Sequence, residues 1–222
     1  MLLVQKCIDL LFPRLCFGCG KIGSYACLQC LACECRPSSE TFPKSKDVDM
    51  LVCATEYKGL FKKLITVAKY GAYKQVLIDV SEILVSENVV NNVPLEVRIR
   101  GQCAIYPVPM HSNKKRQRGF NQTESIASIL SKNTGLPVIT NRLFKTMETV
   151  PQASLSRKDR QQNVKGAFML RDAAQLPKTV IVVDDVWTTG ATIREIATLF
   201  KRNGVEKVIA CTLARRWYNT DT

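Results

Sequence analysis

The residues with the clearest chemical potential lie in one segment, TVIVVDDVWTTGAT, which runs from Thr179 to Thr192. Its backbone amides can surround a phosphate, its threonine hydroxyls add donors, and Gly190 lets the chain approach a ligand closely. Asp184 and Asp185 would repel a phosphate, but they can accept hydrogen bonds from vicinal hydroxyls such as those of a ribose. The segment therefore predicts a ribose 5-phosphate site formed by Asp184, Asp185, Thr188, Thr189, Gly190, Ala191 and Thr192.

Two common nucleotide-binding motifs do not occur in this segment. It lacks the GxxxxGK[ST] pattern of a P-loop and the GxGxxG pattern of a dinucleotide-binding fold. A generic strand-to-helix turn is the plainest alternative, but it explains neither the paired acids nor the run of threonines.

Cysteines are concentrated near the start of the chain, in the segment CFGCGKIGSYACLQC that begins at residue 16. Two C-x-x-C pairs with equal spacing can direct four thiolates at one tetrahedral zinc ion, and metal binding would supply the folding free energy that so small a module lacks. We therefore predict the ligand set Cys16, Cys19, Cys27 and Cys30. Cys33 and Cys35 also lie within reach and remain alternative ligands. Three further cysteines lie in apolar, strand-like runs: Cys53, Cys103 and Cys211. We predict that they are small buried hydrophobic residues.

The elements that must position these residues follow from hydrophobic periodicity. Apolar runs alternate with helical patterns after residue 48, which predicts a parallel α/β sheet with flanking helices. We expect strands over residues 50–57, 103–110, 179–184 and 207–214, and helices over 60–70, 74–86 and 121–132, the last with Asn121 as its N-cap. A further helix should begin with a Thr192 to Glu195 capping box and stop at Gly204. The polar residues 36–47 predict a connector, which places a cysteine module and linker at 1–46 and the larger domain at 47–222.

Net charge and hydropathy limit the possible partners. The sequence has 32 Lys and Arg against 19 Asp and Glu, a formal net charge of +13, which favours a phosphate-rich partner without choosing among nucleic acid, nucleotide and acidic membrane. No run approaches the roughly 18 apolar residues that span a bilayer, so we expect no integral membrane segment. We recognise no export signal, and reduced, metal-ligating cysteines favour a cytoplasmic protein.

The apolar strand, the two acids and the T-T-G-x-T loop resemble the phosphoribosyl pyrophosphate signature of type I phosphoribosyltransferases. Three further segments are similar to the ComF family of competence proteins: KYGAYKQ from residue 69, VPMHSNKKRQRGFNQTE from residue 108 and QASLSRKDRQQNVKGAF from residue 152. With the N-terminal four-cysteine finger, the resemblance covers nearly the whole chain. It implies a type I phosphoribosyltransferase-like domain over 47–222, phosphoribosyl pyrophosphate as ligand or substrate, magnesium with it, and structural zinc in the finger.

The resemblance also implies roles for several charged segments. The turn of Lys69, Tyr70 and Gly71 would hold pyrophosphate, while Asp184 and Asp185 would position the sugar during catalysis. A mobile loop that meets phosphates or nucleic acid would contain Lys114, Lys115, Arg116, Arg118 and Phe120, and a second flexible arm would contain Arg157, Lys158 and Arg160. A solvated charged surface is the simpler interpretation of both basic segments.

Three functions are open from the sequence. The first is a competence protein that handles single-stranded DNA during natural transformation, with a helicase or an inner-membrane translocation channel as a further partner. The second is an active phosphoribosyltransferase, although Thr188 replaces the acid that purine-salvage relatives carry and His111 is expected to be an exposed polar residue rather than a base. The third is a structural adaptor. Trp187 either packs beneath the phosphate loop or covers the ribose, and Phe120, Trp217 and Tyr218 are further candidates for stacking bases.

Overall fold

The structure is a computed structural model that describes residues 13–34, 37–41, 47–70, 74–99, 102–149 and 157–217. The chain begins with a cysteine-rich module in which Leu15 and Ile22 form an antiparallel bridge. Helix α1 (Leu28–Glu34) completes this module and leads to the larger sheet.

The larger sheet has five strands in the order β1-β2-β7-β6-β3. Their bounds are β1 Ser38–Thr41, β2 Met50–Glu56, β3 Cys103–Pro107, β6 Thr179–Trp187 and β7 Lys207–Arg215. Strand β1 pairs antiparallel with β2, and all other pairs are parallel. A separate antiparallel pair consists of β4 (Leu143–Lys145) and β5 (Phe168–Leu170).

Seven helices follow α1 in the described part of the chain. They are α2 Gly59–Tyr70, α3 Lys74–Leu84, α4 Leu95–Ile99, α5 Ser112–Arg118, α6 Gln122–Thr134, α7 Arg157–Val164 and α8 Ala191–Arg202. A π-helical turn over Val85–Val89 and 3-10 turns over Val90–Asn92 and Ala173–Gln175 lie between them.

The sheet is buried on both faces, because alternate residues of β6 belong to two different hydrophobic cores. Ile181 and Val183 pack in the core that includes residues of α2, α3 and α6. Val180 and Val182 pack in the second core, which includes the apolar face of α8. Continuous apolar strands such as TVIVV are typical of parallel strands covered by helices on both sides, so this prediction is confirmed.

The sequence predicted the main strands and helices correctly, and the departures lie at their ends. Strand β6 continues to Trp187 instead of ending at residue 184. Helix α8 begins at Ala191 with Gly190 as its N-cap, so the expected capping box at Thr192 is wrong. Glu195 instead accepts a hydrogen bond from the backbone N–H of Gly166, at 2.7 Å. Asn121 does cap α6, since its side chain accepts from the Thr123 N–H at 3.3 Å.

Two segments expected to be irregular contain regular structure. The predicted connector contributes β1, whose residues Ser38 to Thr41 pair with Cys53 to Met50 of β2. The predicted mobile loop after β3 is the short helix α5, which ends at Gly119 in the left-handed conformation. In both cases hydrogen bonds to a neighbouring element or within one turn outweigh an unfavourable local composition.

Candidate functional site

The loop after β6 lies where a parallel sheet ends and a helix begins. Gly190 has a φ of 76°, and a Cβ built there would lie 2.7 Å from two ring carbons of Trp187. Trp187 is 5% exposed, so it packs beneath the loop, which decides between the two placements left open by the sequence. No hydrogen bond from the backbone amides of Thr188, Thr189 or Gly190 is found among the described residues. These N–H groups, at the N-terminus of α8, can therefore serve an anion.

The two acids of β6 face different surroundings. Asp184 lines a small pocket together with Thr188, Gly190 and Thr192 of the loop. Asp185 is 8% exposed, and its Oδ2 accepts a hydrogen bond from Nε2 of Gln122 at 3.2 Å. The Asp185 backbone N–H donates to Oδ1 of Asp184 at 2.8 Å, which fixes the first carboxylate at the pocket edge. Asp184 is thus the acid placed to meet a ligand, whereas Asp185 is held within the protein.

Gln122 connects this acid pair to the basic helix α5. Its side-chain oxygen accepts from Nη1 of Arg118 at 3.4 Å, while its amide nitrogen donates to Asp185. The residue is 7% exposed, so its contact with Asp185 is shielded from water, whereas its contact with Arg118 is only partly buried. Sequence reasoning missed Gln122 because it lies outside the acid and threonine segment; its place in the first turn of α6 is the available signal.

A second missed residue is Lys145, at the end of β4. Its Nζ donates to Oγ1 of Thr149 at 2.6 Å, and Nζ of Lys114 donates to the backbone oxygen of the same residue at 3.0 Å. Burial lowers the pKa of Lys145, the Lys114 ammonium lowers it further, and the Asp184 carboxylate acts in the opposite direction. The two ammonium groups converge on Thr149, and neither has a carboxylate within ion-pair distance among the described residues, so they form a potential anion site.

The remaining cations of α5 are partly engaged with neighbouring side chains. Lys115 forms an ion pair with Glu124 at 2.8 Å, and Arg116 donates to Oδ1 of Asn113 at 2.6 Å. Both are exposed, and Phe120 just beyond the helix is half-buried. Exposed ion pairs contribute little stability, so a polyanion can compete for these groups.

Of the remaining predicted site residues, the structure describes the side chain of Arg160 but not those of the others. Arg160 is 8% exposed in α7, so the expectation that it extends from a flexible arm is not met. Gly71 and the side chains of Lys69, Tyr70, Arg157 and Lys158 lie outside the described residues.

His111 differs from its expected exposed position. Its side chain is 18% exposed, and Nδ1 is buried without a hydrogen-bond partner among the described residues. Oε2 of Glu148 lies 3.9 Å from this nitrogen. The ring therefore lies between α5 and the segment that follows β4.

The four predicted metal ligands lie together. The Sγ atoms of Cys16, Cys19, Cys27 and Cys30 are all within 4.8 Å of one another, and those of Cys19 and Cys27 are 3.6 Å apart. Tetrahedral Zn–S bonds of about 2.3 Å require sulfur separations of roughly 3.8 Å, so this donor set fits zinc. Although burial opposes it, hydrogen bonds led by the Cys27 N–H lower the pKa of the Cys16 thiol to about 6, which favours the thiolate that a metal requires. Cys33 is not part of the group, and Cys35 lies outside the described residues.

The cysteine module is packed against the larger domain. Oε2 of Glu34, the last residue of α1, accepts from the N–H of Leu60 in the first turn of α2 at 2.6 Å. Arg14 forms an ion pair with Asp79 of α3 at 3.2 Å. The four-cysteine cluster and the helices of the larger domain are therefore structurally connected.

The three isolated cysteines are buried, as predicted. Exposure is 0% for Cys53, 4% for Cys103 and 0% for Cys211. Burial raises the pKa of Cys53 to about 11 and that of both others to about 12, so these thiols stay neutral. Among the described residues, no helix has the length and apolar character needed to cross a bilayer.

Comparison with known proteins agrees with this architecture. The family model described as "Phosphoribosyl transferase domain" matches residues 118–220. Competence protein F of Haemophilus influenzae is 40% identical over 114 residues, which are 50% of this chain and 50% of that protein, so the chain matches about half of that relative's length. DNA utilization protein YhgH of Escherichia coli is 29% identical over 201 residues, which are 90% of this chain and 84% of that protein. The crystal structure of orotate phosphoribosyltransferase from Aeropyrum pernix covers 84% of this chain and 80% of its own, with a TM-score of 0.33 and 14% identity. The chain is therefore similar to ComF-like competence and DNA utilization proteins, and its residues 118–220 match a phosphoribosyltransferase domain.

Proposed function

We propose that this protein handles single-stranded DNA during DNA uptake in natural transformation, and that it uses a phosphoribosyl pyrophosphate-type site to do so. The observation that carries the proposal is the contact of Gln122 with both Arg118 and Asp185. It joins a basic, partly exposed helix to the acid and threonine loop at one edge of the sheet. The names of the relatives, Competence protein F and DNA utilization protein, support the biological role.

The acid and threonine loop and the basic helix α5 would each bind a different portion of the ligand. The loop amides from Thr188 to Gly190 and the dipole of α8 suit a 5-phosphate, and the carboxylate of Asp184 suits the hydroxyls of the attached ribose. Magnesium would neutralise the pyrophosphate of a bound donor. The cations of α5, which include Lys114, and Lys145 of β4 would meet the phosphates of a strand or of the donor.

The metal centre and partners complete the proposal. Zinc would stabilise the cysteine module, which packs on α2 through Glu34. The protein would act in the cytoplasm, with a helicase or an inner-membrane translocation channel as a further protein partner.

An active phosphoribosyltransferase is the second candidate. Asp184 at the pocket edge and Lys145, whose charged form the Asp184 carboxylate favours, support it. As pyrophosphate leaves with the electrons of the C1–O bond, the carboxylate suits the positive charge that develops on the ribose, and the ammonium suits the negative charge of the leaving group. Magnesium-dependent release of pyrophosphate from the donor in the presence of an acceptor would distinguish catalysis from binding.

The experiment is calorimetric titration of zinc-loaded protein with phosphoribosyl pyrophosphate and magnesium, followed by single-stranded DNA binding at several salt concentrations. Asp184→Asn should lose donor affinity while it retains DNA affinity. Lys115→Gln with Arg116→Gln should weaken DNA binding and reduce its salt dependence by about two counterions. The matched control is Lys132→Gln with Lys165→Gln, two exposed cations of other elements. If both double variants lose the same DNA affinity, the effect reflects net charge and not a binding surface on α5. If the wild-type protein does not bind the donor, the phosphoribosyl site is refuted.

A further inference from the structure

A second cavity lies at the opposite end of the sheet. Its volume is about 550 Å³, and its walls come from the first residues of β3, from the segment around Pro137 to Arg142 and from residues just before β6. Ligand pockets commonly fall between about 300 and 1,000 Å³, so this cavity has room for a small organic molecule.

The walls of the cavity combine an apolar surface with positive charge. Ala104, Ile139 and Leu176 are among the apolar residues, whereas Arg142 and Lys178 supply two cations. None of the residues that line it is acidic. Lys178 is engaged at the surface with Glu206 at 3.1 Å, which leaves the half-buried Arg142 as the main cation of the cavity.

Arg142 is held in place before any ligand arrives. Its Nη1 donates to the backbone oxygen of Gln175 at 2.9 Å, and its own backbone oxygen accepts from Arg171 at 2.8 Å. A fixed guanidinium loses little conformational freedom when it binds a carboxylate or phosphate group.

Tyr106 is a further polar residue that lines this cavity. The side chain is fully buried, its ring packs edge-on against Phe200 with centroids 4.8 Å apart, and its hydroxyl has no hydrogen-bond partner of normal geometry among the described residues. Burial raises the pKa of this hydroxyl and the Arg142 guanidinium opposes the shift, so the phenol is neutral and can donate. An unpaired buried hydroxyl is unfavourable, and a ligand acceptor would remove that cost.

We propose that this cavity binds a small organic anion, with its carboxylate or phosphate on Arg142 and the Tyr106 hydroxyl and its apolar body against Ala104, Ile139 and Leu176. Charge complementarity and the absence of any acid in the lining select an anion over a neutral or cationic ligand. The apolar walls select an organic anion over inorganic phosphate.

This binding site is separate from the acid and threonine loop. The side of the cavity at Lys178 lies six residues before Asp184 along β6, roughly 20 Å at about 3.3 Å each, whereas Tyr106 pairs with Val182, two residues before Asp184. No residue that lines this cavity also lines the pocket of Asp184, so the proposal does not depend on the proposed function.

The test compares benzoate with its neutral counterpart benzamide and with inorganic phosphate, by calorimetric titration of the full zinc-loaded chain. Benzoate should bind about tenfold to hundredfold more tightly than either, as expected when a charged hydrogen-bonded pair is added to apolar contact. Arg142→Gln should abolish the preference for benzoate over benzamide. Tyr106→Phe, which conserves shape, should weaken benzoate severalfold without lowering stability.

Arg171→Gln is the matched control, because Arg171 is exposed and its guanidinium lies over the Phe144 ring, 4.5 Å from the centroid, and it does not line the cavity. It should leave benzoate affinity unchanged. The proposal is overturned if benzoate does not bind at millimolar concentration, if benzoate and benzamide bind equally, or if the Arg142 and Arg171 variants lose affinity alike.

Discussion

Replacement of Gly190 by alanine tests the loop geometry on which the candidate site depends. The residue has a φ of 76°, a conformation that costs an L-residue about 1–2 kcal/mol. An added Cβ would also meet the ring of Trp187, with two carbons at 2.7 Å and a third closer still. Because ordinary carbon contacts begin near 3.4 Å, loop and ring must separate by about 1 Å.

The clash should add about 1–3 kcal/mol to the strain. Gly135→Ala isolates the strain, since Gly135 has a φ of 74° at the end of α6 and open space where its Cβ would lie. We therefore expect Gly190→Ala to lower the free energy of unfolding by about 1–3 kcal/mol more than Gly135→Ala does. A displacement of about 1 Å should also lower affinity for the phosphoribosyl donor at least tenfold in Gly190→Ala alone.

Urea denaturation and calorimetric titration of the donor measure the two effects. The double variant Gly190→Ala with Trp187→Leu removes the ring, so its destabilisation should be smaller than the sum of the two single changes. Equal unfolding free energies for the two alanine variants, or strict additivity in the double variant, would show that the ring does not shape the loop.

Three further outcomes follow from the structure. Cys16→Ser should abolish zinc binding, measured by mass spectrometry. It should also lower the midpoint temperature of whole-chain unfolding by roughly 5 °C, which corresponds to about 2 kcal/mol in a protein of this size. Cys33→Ser should change neither quantity, and an unchanged midpoint in Cys16→Ser would contradict the packing of the module on the core. Burial and a neighbouring ammonium lower the pKa of Lys145, so its side chain is charged below that pKa and loses the charge as pH rises through it. Donor affinity should therefore fall over an alkaline pH range in which the Lys145→Arg variant retains it. Parallel curves of affinity against pH for the wild type and this variant would count against the role of Lys145. Gln122→Leu should lower the free energy of unfolding by about 1–3 kcal/mol, since Asp185 loses a buried hydrogen bond, and a neutral result in urea denaturation would remove Gln122 from the site.

Local patterns predicted the parts of this molecule that depend on neighbours in sequence. The alternation in TVIVV predicted a strand buried on both faces, and the cysteine spacing predicted four sulfurs that do lie together. What the sequence could not give were contacts between distant segments. Lys145 meets Lys114 across 31 positions only because the strand β4 and the helix α5 converge on Thr149.

Two adjacent residues that the sequence analysis assigned the same role also have different surroundings in the structure. Asp184 and Asp185 formed one predicted pair, yet successive side chains of a strand point to opposite faces of a sheet. One acid therefore lines the pocket and the other meets Gln122 of α6. The end of β6 was misplaced for a related reason, because hydrogen bonds to β7 continue through Trp187 although the apolar run stops earlier.

The short strand β1 has a practical consequence for anyone who wishes to study the two parts of the chain separately. A protein shortened to begin at residue 47 would lack β1 and would present the unpaired edge of β2, whose residues from Met50 to Thr55 are buried in the intact chain. Exposed apolar edges of this kind recruit further copies of a chain and lead to aggregation. The ion pair between Glu40 and Arg215 of β7 would be lost as well. A shortened protein that begins at residue 37 keeps this edge covered, so insolubility of the first and solubility of the second would reflect protection of the sheet edge rather than loss of the four-cysteine cluster.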